Sequence, residues 1–182
     1  MKKNAIIIGE EDITDIQNRF PEADLRLFRV QDWNSELSPW SAPAVFKGQD
    51  FAGNGDETIE RLKPLINEDT YLIGYSLAGL FALYAATKVP VKGVASVSGS
   101  LWYPGFLEYL KEHPVQTGHV YLSLGDKEKH SKNPLMATVE DCTKEASKII
   151  GAYADTVFEM NEGNHFQNAE ERIIKALNSL LG

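Results

Sequence analysis

Tyr71-Leu72-Ile73-Gly74-Tyr75-Ser76-Leu77-Ala78-Gly79-Leu80 is the stretch from which the rest of the chain can be read. Residues 71–73 form a short apolar run, as a buried strand does. Residues 77–87, rich in Ala and Leu, have the composition of a helix. A serine between strand and helix, with very small residues around it, sits on a tight, strained turn that exposes its hydroxyl. That turn leaves no room for bulk two positions before or two after the serine. Gly74 and Ala78 meet the demand, and Gly79 lets the helix approach the sheet closely. The strict pattern carries glycine at position 78; alanine departs from it but is still small.

Strand and helix signals alternate along nearly the whole chain. Strands are expected at residues 5–8, 25–30, 71–73, 91–97, 119–124 and 156–160. Ile13, Ile16 and Phe20 recur at helical spacing until Pro21. Further helices are expected at 59–66 (interrupted by Pro64), 77–87, 106–111 and 136–153, the last with Met136, Val139, Ala146, Ile149 and Ile150 towards the core. Asn168 followed by Glu171 has the spacing of a capping pair, opening a helix that carries Ile173, Ile174, Leu177 and Leu181. The pattern predicts one α/β domain over residues 1–182, with about six mostly parallel strands, helices on both faces and no large lid. Residues 31–58 break the rhythm. There Trp33, Trp40, Phe46 and Phe51 either line a pocket or pin the loop to the body.

Composition narrows the function. A chain of 182 residues with 43% hydrophobic content and a net charge of −8 suits neither nucleic acid nor an anionic membrane as partner. After Lys2 and Lys3 the apolar stretch spans only residues 5–8 before Glu10, Glu11, Asp12 and Asp15, too short for a signal segment or a bilayer. The single Cys142 allows no internal disulfide, so a cytoplasmic location is expected. Oligomeric state is not legible.

A serine hydroxyl is a weak nucleophile and needs a base within hydrogen-bond reach. On a strand–turn–helix serine of this kind the partners follow in the order Ser, acid, His, after successive later strands. Gly125-Asp126-Lys127-Glu128 follows the strand at 119–124, and Gly163-Asn164-His165-Phe166 follows the strand at 156–160. His165 is therefore the expected base. Glu128 is the favoured acid, with Asp126 the alternative; a dyad in which a backbone carbonyl orients His165 is the third possibility. His113 and His119 read as structural, and His130, just past the acid, as a surface residue in preference to a substrate contact. No histidine pair has metal-ligand spacing, so neither metal nor cofactor is expected. An oxyanion needs main-chain donors. Leu77 N–H at the start of its helix supplies one, and Glu10, after the first strand, is the leading candidate for the second, with Glu11 next. Trp102 and Tyr103, after the fourth strand, are candidate substrate contacts together with Trp40.

Residues 74–80, Ser98-Gly99-Ser100-Leu101-Trp102-Tyr103, 125–128 and 163–166 together resemble the esterases related to enterochelin esterase and esterase D. The likeness covers about residues 70–175. It implies an α/β-hydrolase fold and cofactor-free hydrolysis of carboxylic esters, siderophore trilactones among them. It also implies Ser76 as nucleophile, His165 as base and Glu128 as acid. Family members with a defined substrate carry extra N-terminal sequence, so a small-molecule ester or acyl substrate is equally consistent. Acyl transfer on the same three residues, or ligand binding without catalysis, are the alternative functions.

Overall fold

In the computed structural model, which describes residues 2–182, Ala5, Ile6, Ile7 and Ile8 of β1 (Lys3–Gly9) are all buried. A strand apolar at consecutive positions must be covered on both faces. Ile6 and Ile8 accordingly enter one core, while Ala5 and Ile7 enter a second on the opposite face. The chain continues through α1 (Thr14–Arg19), β2 (Ala23–Arg29), α2 (Trp33–Glu36), α3 (Gly55–Leu62), β3 (Thr70–Tyr75) and α4 (Leu77–Ala86). It ends with β4 (Gly93–Val97), α5 (Phe106–Glu112), β5 (His119–Gly125), α6 (Val139–Gly151), β6 (Asp155–Asn161) and α7 (Ala169–Leu181). The six strands form one parallel sheet in the order β2-β1-β3-β4-β5-β6.

α1 and α7 cover one face through Ile16, Ile174, Ala176 and Leu177. The larger core on the other face takes α3, α4, α5 and α6, including Ile59, Phe81, Phe106 and Ile150. Every residue of α4 is buried, as expected of a helix that is apolar all round. The expected architecture of six strands with helices on both faces and no large lid is the one observed. From β1 the chain steps outward to β2, then returns past β1 to form β3. That reversal of order opens a crevice at the carboxyl ends of the strands, where ligands of such sheets bind.

The turn from β3 into α4 is strained. Ser76 has φ 62 and ψ −125, a region that only a constrained site imposes on a residue with a side chain. A Cβ added to Gly74 would lie 2.0 Å from the Ala78 carbonyl oxygen and 2.3 Å from its carbon, so the helix start tolerates nothing larger than hydrogen there.

Several local expectations are corrected. The helix expected at 136–153 opens as a 3-10 turn at Met136–Thr138 and becomes α-helical only from Val139 to Gly151. Met136, in that turn, packs against the larger core as expected and also borders the cavity. Pro64 stops α3 at Leu62, and a 3-10 turn, Lys63–Leu65, follows. Asn168 does precede α7, but in the left-handed region (φ 56, ψ 37) and without a capping hydrogen bond from its side chain. Glu171 instead pairs with Arg19 at 2.7 Å. Residues 31–58 contain α2, an antiparallel bridge between Ala42 and Phe51, and the start of α3. Among the described residues, no helix is long and apolar enough to cross a membrane.

Candidate active site

Three side chains from three loops at the carboxyl rim of the sheet meet in one line. Ser76 Oγ lies 2.9 Å from His165 Nε2, and His165 Nδ1 lies 2.9 Å from Glu128 Oε2. Each distance is that of a good hydrogen bond. Ser76 is held by its own N–H, which donates to the Val97 carbonyl across the sheet at 3.0 Å. His165 is held through its main chain, whose carbonyl accepts from the Tyr75 hydroxyl.

Glu128 is buried, with a side chain only 4% exposed, and both of its oxygens are engaged. Oε2 faces the imidazole. Oε1 accepts from Gly125 N–H at 2.9 Å and from Arg172 Nη1 at 3.2 Å. Burial pushes the Glu128 carboxyl up, but the hydrogen bond and charge of His165, with a further hydrogen bond from Gly125 N–H, hold it below its ordinary value. Asp126, the alternative acid, is turned to other work. Its Oδ1 accepts from Gly163 N–H at 2.9 Å, and Lys127 N–H donates to the Gly163 carbonyl at 3.0 Å. Asp126 thus clasps the acid-bearing turn to the loop that carries His165.

A cavity of about 660 Å³ opens over Ser76 and His165. Its wall includes Trp33, Phe51, Trp102, Met136 and Val139, and Phe46 and Phe166 reach it from the surface, 65% and 87% exposed. The segment 44–51 forms one side. It is tied down by the Asn133 side chain, which donates to the Val45 carbonyl at 2.7 Å, and by Asp50, whose Oδ1 accepts from Ala44 N–H at 2.9 Å. Both readings of residues 31–58 are therefore realised, by different aromatics: Trp33, Phe46 and Phe51 line the cavity, whereas Trp40 pins the loop. Trp40 packs edge-on against Tyr84 and Tyr103, and its Nε1 donates to the Pro104 carbonyl at 2.8 Å.

The candidate contacts divide in the same way. Trp102 lines the cavity. Tyr103 and Trp40 do not: the Tyr103 hydroxyl donates to the Trp40 carbonyl, and the two rings form a layer behind the wall. Leu77 lines the cavity, and its N–H takes no partner among the described residues. Glu10 follows β1 at the same rim but is exposed and lies outside the cavity lining, its carbonyl accepting from Arg29 Nη1. His113 stacks on Tyr109 and His119 pairs with Asp155, whereas His130 stands on the cavity wall. Among the described residues, no group of three or more His, Cys, Asp or Glu side chains is arranged to hold a metal ion. The residue that the sequence reading passed over is Arg172. In the run Glu170-Glu171-Arg172 it has the look of a solvated helix face, yet it is 2% exposed.

No protein-family model and no curated protein sequence matches the chain. Among solved structures it is similar to siderophore hydrolase EstB from Aspergillus nidulans, with a TM-score of 0.70 and 15% identity over 98% of this chain and 83% of that one. It is similar to FphF, a fluorophosphonate-binding serine hydrolase of Staphylococcus aureus, with a TM-score of 0.65 and 10% identity over 100% of this chain and 84% of that one. The enterobactin esterase FES from Shigella flexneri matches with a TM-score of 0.65 and 19% identity, covering 100% of this chain but 55% of FES. At these identities the likeness is one of fold, and the fold is that of the α/β-hydrolases.

Proposed function

We propose that this chain is a serine hydrolase of carboxylic esters, acting on small molecules through an acyl-enzyme without a cofactor. One observation carries the reading: the unbroken hydrogen-bonded line from Ser76 Oγ through His165 to Glu128, at the base of a largely apolar cavity. In this mechanism Ser76 Oγ attacks the ester carbonyl as His165 Nε2 takes its proton, and Glu128 stabilises the imidazolium that forms. The tetrahedral oxyanion is met by Leu77 N–H, where the positive end of the α4 dipole also favours negative charge. His165 then gives its proton to the departing alcohol. A water deprotonated by His165 attacks the acyl carbonyl and releases the acid, restoring Ser76. The strained backbone at Ser76 supports the reading, because strain of this kind gathers at functional sites. The descriptions of EstB, FphF and FES as hydrolases or esterases agree with it.

The test is Ser76→Ala with a p-nitrophenyl ester and a fluorophosphonate probe. Because the residues of such a triad act as a unit, kcat should fall on the order of 10⁶-fold. The probe should label Ser76 in the wild type and nothing in the variant. Wild-type turnover by Ser76→Ala, or labelling at another serine, refutes the proposal.

A further inference from the structure

Under the line of Ser76, His165 and Glu128 lies a buried guanidinium that the hydrolytic steps above never use. Arg172, on α7, sends Nη1 to Glu128 Oε1 at 3.2 Å, to Ser98 Oγ at 3.1 Å and to the Tyr75 hydroxyl at 3.4 Å. Its Nη2 donates to the Glu162 carbonyl at 3.0 Å, on the segment running from β6 towards His165. The Tyr75 hydroxyl in turn donates to the His165 carbonyl. One side chain thus touches the ends of β3, β4 and β5 and the segment leaving β6. Room for it comes from Gly125, where an added Cβ would lie 2.9 Å from Nη2 and 3.1 Å from Nη1.

We infer that Arg172 is a positioning residue: it binds the two loops that carry Glu128 and His165 and fixes the rotation of the Glu128 carboxylate so that one oxygen faces the imidazole. This deepens the hydrolase reading and rests on it. With Oε1 held by Arg172 and Gly125 N–H, Oε2 is left to a single partner, His165 Nδ1. The rigid fork of arginine suits this task, since it sets direction at several acceptors at once, which the point charge of lysine does not.

Stability alone is a poor account of the residue. A buried ion pair returns in attraction little more than its desolvation costs, and apolar replacements of similar volume are often as stable. Arg172 also buries an Nε that has no partner among the described residues, and an orphaned donor is destabilising. The position lies on the core side of α7 with Ala176, where an apolar side chain would bury no guanidinium and no orphaned Nε, at the cost of leaving Glu128 Oε1 to Gly125 N–H alone.

The experiment compares Arg172→Met and Arg172→Lys with wild type in the whole chain. It reads thermal unfolding, kcat and KM on p-nitrophenyl butyrate, and the downfield proton resonance of the hydrogen-bonded His165 Nδ1–H. A misplacement of about 1 Å costs on the order of 10² in rate. Folded Arg172→Met should therefore lose about 100-fold in kcat with KM nearly unchanged, and its Nδ1–H resonance should shift or vanish. Arg172→Lys should recover part of both. A folded Arg172→Met with near-wild-type kcat and an unmoved resonance overturns the inference, as does a kcat loss that disappears once rates are referred to folded protein. If Arg172→Met does not fold, Arg172→Lys and Tyr75→Phe decide it. Both should lower kcat per folded molecule, and unchanged kcat in both overturns it. The resonance is read without turnover, so a failure of the positioning role is distinguishable from an absence of esterase activity.

Discussion

Asp126 and Glu128 stand two positions apart on the turn after β5, and the hydrogen bonds of that turn separate what each can do. Glu128 Oε2 faces His165 Nδ1, whereas Asp126 Oδ1 is spent on Gly163 N–H. Glu128→Gln keeps the shape but removes the charge that, in the proposed mechanism, stabilises the imidazolium. Its kcat should drop on the order of 10⁴-fold, the loss seen when a triad acid becomes an amide. Asp126→Asn retains an oxygen for Gly163 N–H and should stay within about threefold of wild type, a small change by the same comparison. Steady-state kinetics on the two variants decides between the carboxylates, and equal losses in both would contradict the assignment. The line of three residues was legible in the sequence because each follows its own strand, and that is a statement about topology. Arg172 was not, because a charged residue between Glu171 and Ile173 betrays its burial only when its acceptors, scattered from Tyr75 to Glu162, are brought together. Tyr103 and Trp40 misled for a related reason. An aromatic in a loop has no period to say which way it points, and both turned to each other behind the cavity wall.

The joint between β3 and α4 carries the demand at the next scale. Gly74 packs directly against the main chain of Ala78, with 2.0 Å between a notional Cβ and the carbonyl oxygen, and main chain cannot move aside as a side-chain tip can. Gly74→Ala should therefore destabilise by about 3 kcal/mol or more, as overpacking does. For a chain of this length that is a fall in Tm of about 6–12 °C. Labelling of Ser76 by a fluorophosphonate should weaken with it. Ala78→Gly restores the strict glycine pattern and serves as the control, losing about 1 kcal/mol of helix propensity while keeping activity. Thermal melts with parallel labelling check the pair, and a Gly74→Ala protein as stable and reactive as wild type would show that the turn is not held as described. Elements with strong apolar runs were readable to within a residue or two, β1 and β5 among them. The ends that were missed depend on local backbone choices that apolar periodicity does not encode. Asn168 adopted a left-handed conformation instead of capping, and Met136 fell in a 3-10 turn before α6.

Across the whole molecule, the carboxyl rim over β3, β4 and β5 is closed into a cavity by segments that no strand or helix period announced. Residues 44–51 supply one wall, and their place is set by Asn133 and by the bridge between Ala42 and Phe51. The sheet and its two cores were visible in the alternation of apolar runs, whereas the shape of the cavity arises from these long-range ties. Its volume of about 660 Å³ is ample for an acyl chain, and Phe51, Trp102, Met136 and Val139 offer that chain apolar surface beyond Ser76. Each methylene moved from water onto such a wall contributes about 0.8 kcal/mol, roughly fourfold in kcat/KM when it is buried in the transition state. Along p-nitrophenyl acetate, butyrate and hexanoate, kcat/KM should therefore climb on the order of 10² in total, four methylenes at that increment. Trp102→Ala, which removes buried wall without touching Ser76 or His165, should flatten the climb while leaving acetate hydrolysis within about threefold, since acetate gains little from that wall. A series that peaks at acetate in the wild type would mean that the acyl group does not occupy this cavity, and the apolar wall would then have to serve the alcohol side of the ester.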